Sequence, residues 1–198
     1  MTHFKKIISL ILIALCLEGC VPLIVGGAAA AAATLVIIND HRSSPTKKAD
    51  KKLQALITNK IQSMSELHGQ CHILVTVFQG SVLLTGQAPT LALKQKAQNI
   101  ATSVHGIIRL YDQIEIAAPN SELNRMSDYW ITTKINTLLL RDKSLNTAQI
   151  EVLTENGTVY LLGTATETQS NTIIAKVRGI SGVQKIVKML NYKPASIS

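Results

Sequence analysis

The chain has 198 residues, of which 20 are basic and 12 acidic, giving a formal charge of +8, and it holds three cysteines. This length allows one ordinary domain or two small ones and excludes a large multidomain assembly. The basic balance points to an acidic partner, either nucleic acid or an anionic lipid surface.

The chain opens with Lys5 and Lys6, an apolar stretch over residues 7–17, and then Leu17-Glu18-Gly19-Cys20. A basic start, a short apolar region and a small residue before a cysteine form the layout of a bacterial lipoprotein signal, in which the cysteine becomes the lipidated N-terminus. The apolar region is too short to span a bilayer alone. The expectation is loss of residues 1–19 as signal peptide and lipidation of Cys20, palmitate included. The competing reading is an uncleaved N-terminal anchor. Cleavage leaves 18 basic and 11 acidic residues, a formal charge of +7. An envelope address makes lipid headgroups the expected partner, with no nucleic acid. By the sorting rule of such lipoproteins, Val21-Pro22 after Cys20 points to the outer membrane, on its periplasmic face.

Cys16 leaves with the signal and Cys20 carries lipid, so Cys71 has no intramolecular disulfide partner. Its apolar strand setting reads as a small packing residue, with intermolecular pairing as the alternative. His41, His68, His72 and His105 lack the spacing and acidic neighbour of a zinc protease site, and His68 and His72 read as loop and strand-end residues. There is no Gly-x-Ser-x-Gly, no phosphate-cradling glycine loop and no CxxC. The expectation is a protein that is not an enzyme and takes no cofactor or metal.

Residues 21–38 form an apolar run with six alanines at 28–33. It reads either as a second membrane segment or as a tether lying along the bilayer, and its alanine and glycine content favours the tether. Residues 39–48 (NDHRSSPTKK) read as a flexible linker around Pro45. Residues 20–48 are therefore expected to be a lipidated tether and linker. Lys47, Lys48, Lys51 and Lys52 belong either to a solvated linker or to a surface lying on the membrane.

From residue 49 the chain repeats. Gly80-Ser81-Val82-Leu83-Leu84-Thr85-Gly86 recurs 77 residues later as Gly157-Thr158-Val159-Tyr160-Leu161-Leu162-Gly163. Ile57-Thr58-Asn59-Lys60-Ile61 recurs after 74 residues as Ile131-Thr132-Thr133-Lys134-Ile135, and His105-Gly106-Ile107 after 76 as Ser181-Gly182-Val183. Each copy opens with helical spacing: Leu53, Leu56, Ile57, Ile61 and Met64 in the first, and Ile131, Ile135, Leu138 and Leu139 in the second. Asp50 and Asp128 are expected near the helix starts, accepting from unpaired N–H groups. Alternation at Ile73, Val75, Val77 and at Ile150, Val152, Thr154 predicts strands.

Gln79-Gly80 and Asn156-Gly157 predict hairpin turns. The return strands cover 82–84 and 159–161, ended by Gly86 and Gly163. Second helices follow at 91–103 and 167–178, then glycine turns and last strands at 108–116 and 183–190. The expected fold class is α+β: two tandem αββαβ units, each a three-stranded mixed sheet covered by two helices. The expected boundaries are 49–117 for the first unit, 118–126 for a linker, 127–192 for the second unit and 193–198 for a tail.

The αββαβ order, the V-x-L-x-G pattern after a hairpin glycine and the late Gly-Ile/Val turn resemble BON domains. The stretches that carry the resemblance are residues 77–87 (VFQGSVLLTGQ), 130–134 (WITTK) and 154–157 (TENG). Two such domains behind a lipoprotein signal are similar to the dual-BON outer-membrane lipoproteins. The resemblance implies an envelope-integrity protein of Gram-negative bacteria, associated with the division site. It also implies binding of anionic phospholipid, such as phosphatidylglycerol and cardiolipin, through the first helix of the second domain. The tryptophan of that helix matches Trp130.

The residues themselves leave Trp130 open. On a helical wheel Trp130, Thr133, Lys134, Thr137 and Arg141 share a face beside or opposite the apolar stripe, with Tyr129 next to it in sequence. An aromatic ring beside two cations suits a headgroup interface. Packing in the core or between the units fits equally, because the 74-residue offset sets Leu56 at the matching position. Leu83 and Tyr160 alternate away from the helix-facing strand positions. They read either as a docking surface for another envelope protein, which would make the chain a tethered adaptor, or as the contact between the two units.

Overall fold

The central strand of each repeat is apolar on both faces, so each sheet needs two covers. The computed structural model, which describes residues 37–38, 42–146 and 148–194, supplies both. Residues 1–36, with the signal and Cys20, lie outside the described residues. In chain order the elements are β1 (Ile37–Ile38), α1 (Ser44–Ser63), β2 (His72–Phe78), β3 (Ser81–Ala88), α2 (Leu91–Thr102) and β4 (Arg109–Ile116). There follow α3 (Glu122–Leu140), a 3₁₀ turn (Lys143–Leu145), β5 (Gln149–Glu155), β6 (Thr158–Ala165), α4 (Glu167–Arg178) and β7 (Lys185–Tyr192). In each repeat the hairpin is antiparallel and the third strand joins in parallel after its crossover helix, giving mixed sheets β2-β3-β4 and β5-β6-β7. The second sheet gains β1 as a short antiparallel edge.

Several expected boundaries move. Ser43 caps α1 and Pro45 stands in its first turn, where a missing N–H leaves no bond unmade. The 39–48 segment is thus half helix, and the proline marks a helix start instead of a linker. Ser121 likewise caps α3, so most of the 118–126 segment belongs to that helix. Residues 37–38, expected in the tether, are a strand of the second sheet.

Asp50 and Asp128 do not cap helix starts. They sit inside α1 and α3, buried, and reach across to the hairpin turns. Asp50 accepts from the N–H groups of Gln79 and Gly80 at 2.8 and 3.0 Å, and Asp128 from those of Asn156 and Gly157 at 2.8 and 2.9 Å. Gln79 and Asn156 hold φ of 48° and 49°, followed by glycines at 72° and 68°, the geometry of a tight primed turn. Each turn leaves two N–H groups pointing inward, and the carboxylate satisfies both.

This clamp also corrects the repeat register. Asp50, Leu53, Ile57 and Ile61 occupy the places of Asp128, Ile131, Ile135 and Leu139, all buried, at an offset of 78. The matching ITNKI and ITTKI stretches are one helical turn out of structural register. Trp130 therefore answers Lys52, and Leu56 is 44% exposed instead of lying in the core stripe. Met64, also expected in that stripe, is exposed beyond the helix end.

Gly86 and Gly163 lie inside their strands and do not end them. A Cβ on either would come within 1.9 Å of a neighbouring carbonyl oxygen, that of His72 or Gln149. Both carry a positive φ.

Two cores lie between helices and sheets. In the first, Leu53, Ile57, Ile61, Ala97 and Ala101 meet Val75, Val77, Val82 and Leu84. In the second, Ile131, Ile135, Leu139, Ile173 and Val177 meet Ile150, Val152, Val159 and Leu161. Cys71 packs half-buried against the first, as a small packing residue would. A third core joins the other faces of the two sheets: Phe78 and Leu83 against Leu153, Tyr160, Leu162 and Met189. The layers thus run helices, sheet, sheet, helices. Leu83 and Tyr160 are buried between the domains and present no docking surface to another protein. Burial, with the carboxylates of Glu115 and Glu155, pushes the Tyr160 hydroxyl up to about 12, so it stays protonated.

A polar seam borders this third core. Gln87 Nε2 donates to Glu155 Oε1 at 2.7 Å, and the backbone N–H of Asn120 donates to Gln87 Oε1 at 3.1 Å. His72 sits between Arg125 (3.4 Å from Nδ1) and Glu155 (3.9 Å from Nε2). Burial and the Arg125 charge lower the His72 pKa. Burial raises that of Glu155, and the Gln87 hydrogen bond offsets part of the rise. A lowered histidine pKa contributes stability that is full above the ordinary value of about 6.5 and is lost as pH falls through it. The raised Glu155 pKa acts the other way, because acid relieves a buried charge. His72→Gln removes only the first slope. On acidification from pH 7 to pH 5 the melting midpoint of this variant is expected to gain on wild type. Parallel midpoints across that range would contradict the assignment.

Candidate membrane-binding face

Helix α3 buries one stripe and leaves another outside. Asp128, Ile131, Ile135, Asn136 and Leu139 face the second sheet. A turn of 100° per residue places Leu123, Met126, Trp130, Lys134, Thr137 and Arg141 on the opposite side. Leu123 is 79% exposed, Met126 70%, Trp130 59% and Tyr129 54%. Large apolar side chains exposed together on one helix are more informative than any one of them alone.

The expected site residues do come together. Trp130, Thr133, Lys134, Thr137 and Arg141 line a shallow open depression of about 450 Å³, completed by Leu138 and Ile180. Lys134 Nζ lies 5.4 Å from the Trp130 ring centroid, over the negative face of the ring. Lys134 and Arg141 are exposed, and no carboxylate lies within ion-pair distance of either among the described residues. The two threonines are less available than the pattern implied. Thr133 donates its hydroxyl proton to Tyr129 O and Thr137 donates its own to Thr133 O, both at 2.9 Å, which leaves them as acceptors toward any ligand.

Tyr129 belongs to a neighbouring depression of about 530 Å³, lined by Leu123, Met126, Ser127, Tyr129 and Trp130. Trp130 is common to both. Leu123 and Met126 were missed from the sequence because residues 118–126 read as linker. The signal was present: Ser121-Glu122 is a helix start, and Leu123, Met126 and Trp130 follow the i, i+3, i+7 spacing of a single face. The result is a helix whose first half is apolar and aromatic outward and whose second half is cationic.

Among the described residues no group of three or more His, Cys, Asp or Glu could hold a metal ion, and no helix is long and apolar enough to cross a membrane. The geometry favours surface contact over enclosure of a ligand.

The model of the BON domain family matches residues 49–118 and again residues 127–194. The chain is 31% identical over 153 residues to the 21 kDa hemolysin of Actinobacillus pleuropneumoniae, covering 77% of this chain and 79% of that one. It is 29% identical over 192 residues to the outer membrane lipoprotein DolP of Haemophilus influenzae, covering 97% and 98%. Among solved structures, the C-terminal domain of CdsD, a structural protein of the type III secretion system of Chlamydia trachomatis, is 14% identical. It covers 73% of this chain and 67% of that chain at a TM-score of 0.30, a likeness too slight to carry weight.

Proposed function

We propose, from the premise that this chain belongs to the BON domain family, that it is an outer-membrane lipoprotein whose second domain binds anionic phospholipid through the outward face of α3. The observation that carries this reading is Trp130, exposed beside Leu123 and Met126 with Lys134 over its ring. A tryptophan ring settles at the boundary between headgroups and acyl chains, with leucine and methionine below it. Lys134 and Arg141 meet lipid phosphates. Phosphatidylglycerol and cardiolipin are the expected headgroups because their charge is negative.

Full similarity in length to an outer membrane lipoprotein supports acylation of Cys20 and a periplasmic-facing position. The lipid and the helix face then form the two signals that stable membrane attachment takes. Support of envelope integrity, at the division site among other places, is the physiological role in this reading. It is a binding role, with no reaction. The adaptor alternative loses the residues that motivated it, since Leu83 and Tyr160 cover each other's sheets.

Residues 34–198 form one compact unit and serve for the test without the lipid. Half-burying a tryptophan ring is worth about 2 kcal/mol, so Trp130→Ala is expected to weaken partition into phosphatidylglycerol vesicles roughly thirtyfold. Lys134→Gln and Arg141→Gln are each expected to cost about fivefold, and that part disappears in high salt. Co-sedimentation measures both. A folded Trp130→Ala variant that partitions like wild type would sink the reading.

A further inference from the structure

Among the described residues, strand β1 pairs with a strand of the second domain only. Ile38 pairs with Ile150 and Ile37 with Glu151, antiparallel, on the outer edge of β5. Among the described residues the corresponding edge strand of the first domain, β2, carries no such addition. We propose that the β5 edge is a docking surface for the chain's own tether strand, and that this pairing seats the second domain against the bilayer with the first domain outward. The inference rests on the lipid-anchored, α3-binding reading above.

Direction comes from the register. Because β1 runs antiparallel to β5, its N-terminal end faces the Glu155 end of that strand. At that end lies the Asn156-Gly157 turn, held by Asp128 of α3. Asp128 lies on the sheet-facing side of α3, in the same N-terminal half whose outward side carries Leu123, Met126, Tyr129 and Trp130, and β1 itself lies against α3. The Ile37 end of β1 therefore points toward the half of α3 that is apolar outward.

The other side of β1 is fixed as well. Four residues after Ile38, Arg42 pairs with Asp50 and stacks over the Phe78 ring at 4.7 Å, both in the first domain. Ile37 and Ile38 are thus held to one domain by backbone pairing, and Arg42 to the other by a buried ion pair.

The repeat supplies an independent sign of orientation. At the structural offset of 78, Met126, Tyr129 and Trp130 are answered by Lys48, Lys51 and Lys52, all exposed. The layer order places α1 and α3 on opposite outer surfaces. The same helix face is thus aromatic on α3 and polycationic on α1. Lysines reach only the headgroup phosphates, whereas the rings and the methionine also enter the boundary with the acyl chains, which makes α3 the face suited to seat on the bilayer.

The test uses the full lipidated chain in phosphatidylglycerol-containing vesicles and an Ile37→Pro, Ile38→Pro variant. Proline removes the N–H groups on which the edge pairing depends. The second domain keeps its three-stranded sheet, the number on which the first domain stands, so the variant is expected to retain wild-type circular dichroism and melting midpoint. Lysine acylation by a water-soluble reagent is read by mass spectrometry with and without vesicles. Wild type is expected to show Lys134 protected about tenfold on vesicles and Lys48, Lys51 and Lys52 unchanged, with the Lys134 protection falling several-fold in the proline variant. Equal Lys134 protection in both proteins, or protection of the α1 lysines together with Lys134, overturns this inference and leaves the α3 reading standing. Lys134 reacting alike with and without vesicles in both proteins overturns the α3 reading and this inference with it.

Discussion

Leu83→Asp is expected to part the two domains. Leu83 is fully buried in the third core, between two sheets, and an aspartate there finds no cation among its neighbours Phe78, Leu153, Tyr160, Leu162 and Met189. Losing the leucine costs about 3 kcal/mol by cavity formation, which Leu83→Ala measures alone. The carboxylate adds several more unless it reaches water, giving a total of about 5 kcal/mol or more. The cheapest route to water is separation of the sheets, because the helix-facing cores do not include Leu83. The expected result is a larger radius of gyration by solution scattering and a melting midpoint well below that of Leu83→Ala. A variant as small and as stable as wild type would show that the sheet faces do not meet in solution.

Gly163→Ala is expected to be the most damaging single-methyl change in the second domain. The residue has a φ of 149° and its added Cβ would lie 1.9 Å from Gln149 O and 3.0 Å from Ile150 Cα. Those are backbone atoms of the paired strand, so no side-chain rotation relieves the overlap. Strand β5 must move away from β6, which breaks ladder hydrogen bonds and opens the core beneath. The expected loss is about 4 kcal/mol or more, in the range where a small domain fails to fold. Gly86→Ala meets His72 O in the same way and tests the first domain. Melting within a few degrees of wild type would show that the strands do not approach so closely.

Much of this architecture was legible residue by residue. Alternation at Ile73, Val75 and Val77, helical spacing at Ile131 and Ile135, and the Asn156-Gly157 pair each report a local backbone preference. The repeats doubled that signal, and the four main helices and six main strands form in the order it predicted, with several ends shifted. Boundaries were less legible. Pro45 reads equally as a linker or a first helical turn, and Ser121 shows itself as a cap only once the helix behind it is known. The candidate face was half legible: Trp130, Thr133, Lys134, Thr137 and Arg141 were found together, whereas Leu123 and Met126 were hidden by the misplaced start of α3.

The amino-acid sequence by itself determined the duplicated αββαβ order, the hairpin turns and which strand and helix faces are apolar, because these follow from side-chain spacing over a few residues. Only the tertiary structure decided which apolar faces are covered. Leu83 and Tyr160 are as apolar toward their outer face as Trp130 is toward its own, yet the first two close on each other and the third stays open. Likewise Asp50 and Asp128 look like helix caps until the hairpins 29 residues away bring their N–H groups within reach. Burial depends on what arrives from elsewhere in the chain, and local spacing carries no record of that arrival.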